Sequence, residues 1–183
     1  MIRNDIQSPY KHRRAYFIAV VALQMVLLAG MSVAPAFRLT QARLATFTTA
    51  PVDPWDMFRG DYISLAYDFS QNVPVHEEFK TNDTIYVVLQ SGGNGKWTAV
   101  RSKHLKPAVS ADELVIKGKV DSAYDGLATV HYGIERLYVP ERQGRDVSSS
   151  DQLEIDAAIG DDGTTIIKEA RYKQRILYHL KLI

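Results

Sequence analysis

The stretch Pro51–Tyr67, PVDPWDMFRGDYISLAY, decides the fold class. Its first half is irregular by composition. Pro51 and Pro54 fix φ and remove two backbone donors, which rules out regular helix or central strand across 50–55. Its second half changes to a period of two. From Asp61 to Phe69, Tyr62, Ser64, Ala66 and Asp68 fall on one side, and Ile63, Leu65, Tyr67 and Phe69 on the other. One apolar face at that period is the pattern of a half-buried strand. In the turn before it, Asp53 and Asp56 are placed to accept backbone N–H groups, as turn aspartates do. Gly60 supplies a positive φ or a close backbone approach. Arg59 lies among Asp53, Asp56 and Asp61 and can fork onto a carboxylate. The stretch reads either as an internally satisfied corner that sets strand register or as an exposed acid–arginine pocket.

Downstream the same alternation recurs at hairpin spacing. Strands are expected at Thr84–Gln90 and Lys96–Lys103 around the turn cluster 91–95, then at Glu113–Ser122, Ala128–Tyr132 and Ile134–Val139. Gly118, inside one of them, marks a bulge or a close approach. A hairpin follows, Gln152–Ile159 and Thr164–Ala170 around Gly160–Gly163, and Arg175–Leu182 closes the chain. With Arg43–Thr49 before the prolines, this makes eight to ten short strands. The spacing predicts an all-β antiparallel barrel or sandwich. A helical turn fits His76–Lys80, and a loop or short helix fits Glu141–Ser150.

Upstream, Ala15–Phe37 carries no charge over about 23 residues, so as a helix it would be ~34 Å long. That length crosses a ~30 Å hydrocarbon core with some tilt. Arg3, Lys11, Arg13 and Arg14 precede it against Asp5 alone, so the positive-inside rule puts 1–14 in the cytoplasm and the rest outside. Ala34-Pro35-Ala36 would suit a signal-peptide cleavage site, but the apolar run exceeds the usual length of such a signal. Residues 1–14 thus read as a cytoplasmic tail, 15–37 as an anchor, and 38–183 as one extracytoplasmic domain, periplasmic in a Gram-negative cell.

Of the 22 Lys/Arg and 21 Asp/Glu, 18 and 20 fall after residue 37, interspersed. Nucleic-acid binding wants a concentrated basic footprint and is not expected. The chain has no cysteine, which excludes disulfides and thiolate metal sites.

The quoted stretch resembles the GDYXXLXY family of membrane-anchored proteins, whose pattern runs here as Gly60-Asp61-Tyr62, Leu65 and Tyr67. Pro51, Asp53, Pro54, Asp56 and Arg59 match the run before the glycine, and HYGIERLYVPERQG at 131–144 is similar to a second block. Trp55 stands where the pattern implies an arginine. The resemblance implies a location, an architecture and an association with polytopic membrane proteins; it implies no reaction.

His12, His76, His104, His131 and His179 show no ligand spacing, and neither a metal nor another cofactor is expected. No nucleophile elbow is present. Thr48 or Thr49 with Lys117 or Lys119 would form a dyad on a topology similar to that of membrane-anchored signal peptidases, which makes a peptide hydrolase the alternative function. The ten tyrosines read first as strand formers with a polar end; the alternative is a sugar- or partner-binding face, with Tyr132, Glu135 and Glu141 in one block. The candidate binding residues are therefore Asp53, Asp56, Arg59, Gly60, Asp61, Tyr62, Tyr67, Tyr132, Glu135 and Glu141. The expected role is a non-enzymatic module whose partners are the lipid bilayer and an integral membrane protein.

Overall fold

The computed structural model describes residues 10–40, 42–49, 62–92, 96–138, 152–173 and 175–180, with backbone alone at 10–12, 31–40 and 62. The chain divides after Thr40 into two units. The first contains helix α1, Tyr10–Thr40. Its window Arg13–Gly30 is long and apolar enough to cross a bilayer, with a mean hydropathy of 1.5, and none of it is buried against protein. Ala and Leu, both strong helix formers, supply seven of its 18 residues.

The second unit is all-β. Its strands are β1 Arg43–Thr48, β2 Tyr62–Ser64, β3 Val73–Pro74, β4 Thr84–Ser91, β5 Trp97–Lys103, β6 Glu113–Tyr124, β7 Leu127–His131, β8 Arg136–Tyr138, β9 Glu154–Ile159, β10 Thr165–Tyr172 and β11 Arg175–His179. They form three antiparallel sheets, ordered β1-β9-β10-β11, β2-β8 and β3-β7-β6-β4-β5, in a nearly closed, barrel-like arrangement. Cross-links close the gaps between sheets. The Trp97 Nε1–H donates to the Thr46 carbonyl at 3.0 Å, joining β5 to β1. The Lys117 N–H donates to the Gly163 carbonyl at 2.8 Å, tying β6 to the β9–β10 turn.

Alternation along the strands fills one core. Phe47 of β1, Ile85, Val87 and Leu89 of β4, Leu114 and Ile116 of β6, and Ile155 and Ala157 of β9 all point inward. Gly118 is a close approach: a Cβ there would lie 2.4 Å from Val130 Cγ1. The irregularity in β6 sits two residues on, between Val120 and Ser122, so Gly118 is not the bulge.

Three expectations change. The strand expected over Asp61–Phe69 is regular only at Tyr62–Ser64; a 3-10 turn, Asp68–Ser70, follows. The facing was legible all the same, since Ile63, Leu65, Tyr67 and Phe69 are all buried. His76–Lys80 forms bends and no helical turn. Its side chains meet the residue that follows β5: the Glu77 carboxylate accepts the His104 N–H at 3.1 Å, and the His104 ring stacks on Phe79 at 4.0 Å. β3 was not anticipated; two residues including Pro74 leave no period to read, and the proline is tolerated on an edge strand.

Candidate functional site

The second half of the opening stretch is stitched to the loop between β7 and β8. β2 pairs with β8 in the register Tyr62↔Tyr138, Ile63↔Leu137, Ser64↔Arg136. One residue on, the Leu65 N–H donates to the Glu135 carbonyl at 2.7 Å. The Tyr67 hydroxyl then donates to the Ile134 carbonyl at 3.0 Å, and the Tyr132 hydroxyl donates back to the Phe69 carbonyl at 2.7 Å. The two phenols thus bridge the same pair of segments in opposite directions. Each satisfies a buried donor and a buried acceptor, which is the condition for burying a tyrosine hydroxyl without penalty.

The rings supply the packing. Tyr67 stacks on Phe69 with centroids 5.1 Å apart, Phe47 meets Tyr67 edge-on at 6.1 Å, and Tyr132 tilts against Phe69 at 5.5 Å. The loop itself is held by Glu135, whose carboxylate accepts the N–H groups of Tyr132 at 2.5 Å and Gly133 at 2.9 Å. Gly133 has φ +83°, a conformation that glycine adopts at no steric cost.

Tyr67 and Tyr132 were candidates for an exposed binding face. At 2% and 6% exposure they cannot present one, because their rings complete the core and their hydroxyls face backbone carbonyls. Glu135 is likewise spent on its own loop. Burial first, and the Glu135 charge second, hold both phenols well above the ordinary tyrosine range. The folded state therefore keeps these protons more tightly than the unfolded chain. Stability is unaffected below the unfolded phenol range near ~10 and falls as pH rises through it. Ultraviolet absorbance titration is expected to show these two phenolates appearing only together with loss of the near-ultraviolet circular dichroism. Their ionisation in a folded domain would contradict the geometry.

Two further segments share both of their end points. At the far end of β1, the Thr49 N–H donates to the Leu153 carbonyl at 3.0 Å, and the Leu153 N–H donates to Thr49 Oγ1 at 2.9 Å. Segment 50–61 thus departs beside Leu153 and returns at Tyr62. Segment 139–151 departs at Tyr138, the register partner of Tyr62, and returns beside Thr49. Asp53, Asp56, Arg59, Gly60 and Asp61 on the first segment, and Glu141 on the second, lie outside the described residues, as does the Tyr62 side chain.

The threonine–lysine dyad is not assembled. Thr48 pairs with Glu154 at the start of β9, whereas Lys117 meets Gly163, beyond the end of β9. Six residues of strand separate those levels, roughly 20 Å at ~3.3 Å each. The Thr49 hydroxyl is held by Leu153, and the Lys119 amine donates to the Asn82 carbonyl and Thr84 Oγ1, both at 3.0 Å.

A polar cluster missed in the sequence lies on the four-stranded sheet. The Arg171 guanidinium reaches Asp156 at 2.8 Å, Glu169 at 3.1 Å and Glu154 at 3.5 Å; Thr46 Oγ1 donates to Asp156 and His179 meets Glu169. The signal available was charge of opposite sign on the two arms of the β9–β10 hairpin. Among the described residues, no group of three His, Asp or Glu is placed to hold a metal.

A family model described as GDYXXLXY protein matches residues 24–169, well over half of the chain. The chain belongs to the GDYXXLXY family. No curated protein and no solved structure matches it. In this member of the GDYXXLXY family, the Leu65 and Tyr67 positions of the signature are core residues that fasten the β2 segment to the 132–135 loop.

Proposed function

We propose that this GDYXXLXY protein is a membrane-anchored, extracytoplasmic accessory module that binds an integral membrane protein without carrying out a reaction. One observation carries the reading. Leu65 and Tyr67 of the signature hydrogen-bond to the 132–135 loop, and the pairs Thr49–Leu153 and Tyr62–Tyr138 hold all four ends of the two segments that carry the remaining candidate charges. A frame that holds the ends of two charged segments suits recognition of a protein surface. Asp53, Asp56, Arg59 and Asp61 on one segment and Glu141 on the other would form the contact, with the apolar helix keeping it beside membrane partners. The basic residues before that helix favour an outward-facing domain.

Site-specific photo-crosslinking in the native membrane tests this. Probes at positions 59 and 141 are expected to give the same discrete adduct with one integral membrane protein, and a probe at Tyr124, on the β6–β7 turn, none. No discrete adduct at 59 or 141 would refute the module reading. For orientation, a reporter active only in the cytoplasm and fused after Ile183 is expected to stay silent; activity there would overturn the outward-facing topology.

A further inference from the structure

We infer that the β domain rests on the bilayer that holds its anchor, through Leu44 and Leu105 inserted into the lipid headgroup layer. The inference rests on the anchored reading of the helix. It begins from two large apolar side chains exposed close to the point where the anchor joins the domain: Leu44 is 66% exposed and Leu105 is 80% exposed. Both lie where the chain enters the domain. Leu44 is the second residue of β1. Leu105 opens the loop 104–112, which is fastened at both ends around the start of that strand. The Lys106 amine donates to the Asp161 carbonyl, two residues past Ile159, and Ile159 is the register partner of Arg43. At the loop's other end, the Arg43 guanidinium donates to the Ala111 carbonyl at 2.9 Å and the Glu113 carbonyl at 3.1 Å.

Chain length identifies the occupant. The apolar run ends at Phe37, α1 ends at Thr40 and β1 begins at Arg43. Three more helical residues rise ~4.5 Å, and three Cα steps span at most ~11 Å, so Arg43 lies within about 16 Å of the hydrocarbon edge. The headgroup layer itself occupies about 5–8 Å of that on each side. Leucines at this end of the domain therefore have lipid within reach by covalent geometry alone. Counted along the sequence, Arg38, Arg43 and Lys106 stand against Asp112, Asp161 and Asp162, three charges of each sign, so the attraction is apolar and should not depend on salt or on anionic lipid.

Leu127, Tyr138 and Ile176 are exposed too, none of them in the loop 104–112 or at the start of β1; Tyr124, the most exposed at 87%, supplies the control. It ends the twelve-residue β6, whose first residue Arg43 touches, so it lies roughly 36 Å along the strand from the anchor end. Because the chain has no cysteine, Leu44→Cys, Leu105→Cys and Tyr124→Cys each give one labelling site in the full chain. The labelled proteins are reconstituted into phosphatidylcholine vesicles containing a lipid with a quencher at the headgroup level. Fluorophores at 44 and 105 are expected to be quenched several-fold more than one at 124, equally at low and high salt. Adding Leu105→Asp to the Leu44→Cys chain should reduce quenching at 44, with the near-ultraviolet circular dichroism unchanged. Equal quenching at all three positions in protein that floats with the vesicles overturns the docking and leaves the anchor standing. Failure to float overturns the anchor and the docking with it.

Discussion

Tyr67→Ala is expected to destabilise the domain by about 3–5 kcal/mol, as large-to-small changes at buried aromatic positions do. Against a typical total of about 5–15 kcal/mol, that brings the domain close to unfolding. The ring is the junction of Phe47 and Phe69, so its removal leaves a cavity that neither neighbour can fill without abandoning its own contacts. Tyr67→Phe separates the two parts of the effect. It keeps the ring and leaves the buried Ile134 carbonyl without its donor, for a loss of about 1–3 kcal/mol. Urea titration of the full chain in mild detergent, followed by near-ultraviolet circular dichroism, measures both. Unchanged midpoints would mean that Tyr67 serves a ligand and not the fold.

The second large effect is expected at Gly118, in the middle of β6 opposite Ile85. An added Cβ would meet Val130 Cγ1 at 2.4 Å, the His131 carbonyl oxygen at 2.9 Å and Tyr132 Cδ1 at 2.9 Å. Valine can change rotamer, but a strand carbonyl can retreat only by breaking its ladder. Gly118→Ala should cost about 1–3 kcal/mol, the range for overpacking, and Gly118→Val more. Because one of the three clashes is with Tyr132, the damage should reach the corner. The Tyr132 phenolate is then expected to appear at lower pH in Gly118→Ala than in the parent chain. A Gly118→Ala protein with parental urea midpoint and titration would show that β6 and β7 are not packed this closely.

How far the sequence led depends on whether the determinant was local. The inward facing of Ile63, Leu65, Tyr67 and Phe69 was legible because alternation survives the change from strand to 3-10 turn: both conformations put Phe69 inward. For the same reason the end of the strand at Ser64 was not legible. The roles of Tyr67 and Tyr132 were out of reach, since tyrosine suits an interface as well as a core until its acceptor is known. Those acceptors, Ile134 and Phe69, lie 67 and 63 residues away in the chain. Arg171 likewise meets Asp156 and Glu154 only through a register shift between Ile167 and Glu169 that no alternation records. Gly118 was legible as a bulge or a close approach but not as which of the two, because Val130, His131 and Tyr132, which decide it, come from the neighbouring strand and the residue after it.

The account turns on the signature corner belonging to the core, with recognition left to the segments that it frames. Native-state hydrogen exchange of the full chain measures this at one amide, Leu65, which donates to the Glu135 carbonyl at 2.7 Å. The Leu65 amide is expected to exchange only through global opening, with the same free energy as the amides of Phe47 and Ile155 in the buried β1–β9 pair. Exchange of Leu65 through a local opening well below that free energy would contradict the account.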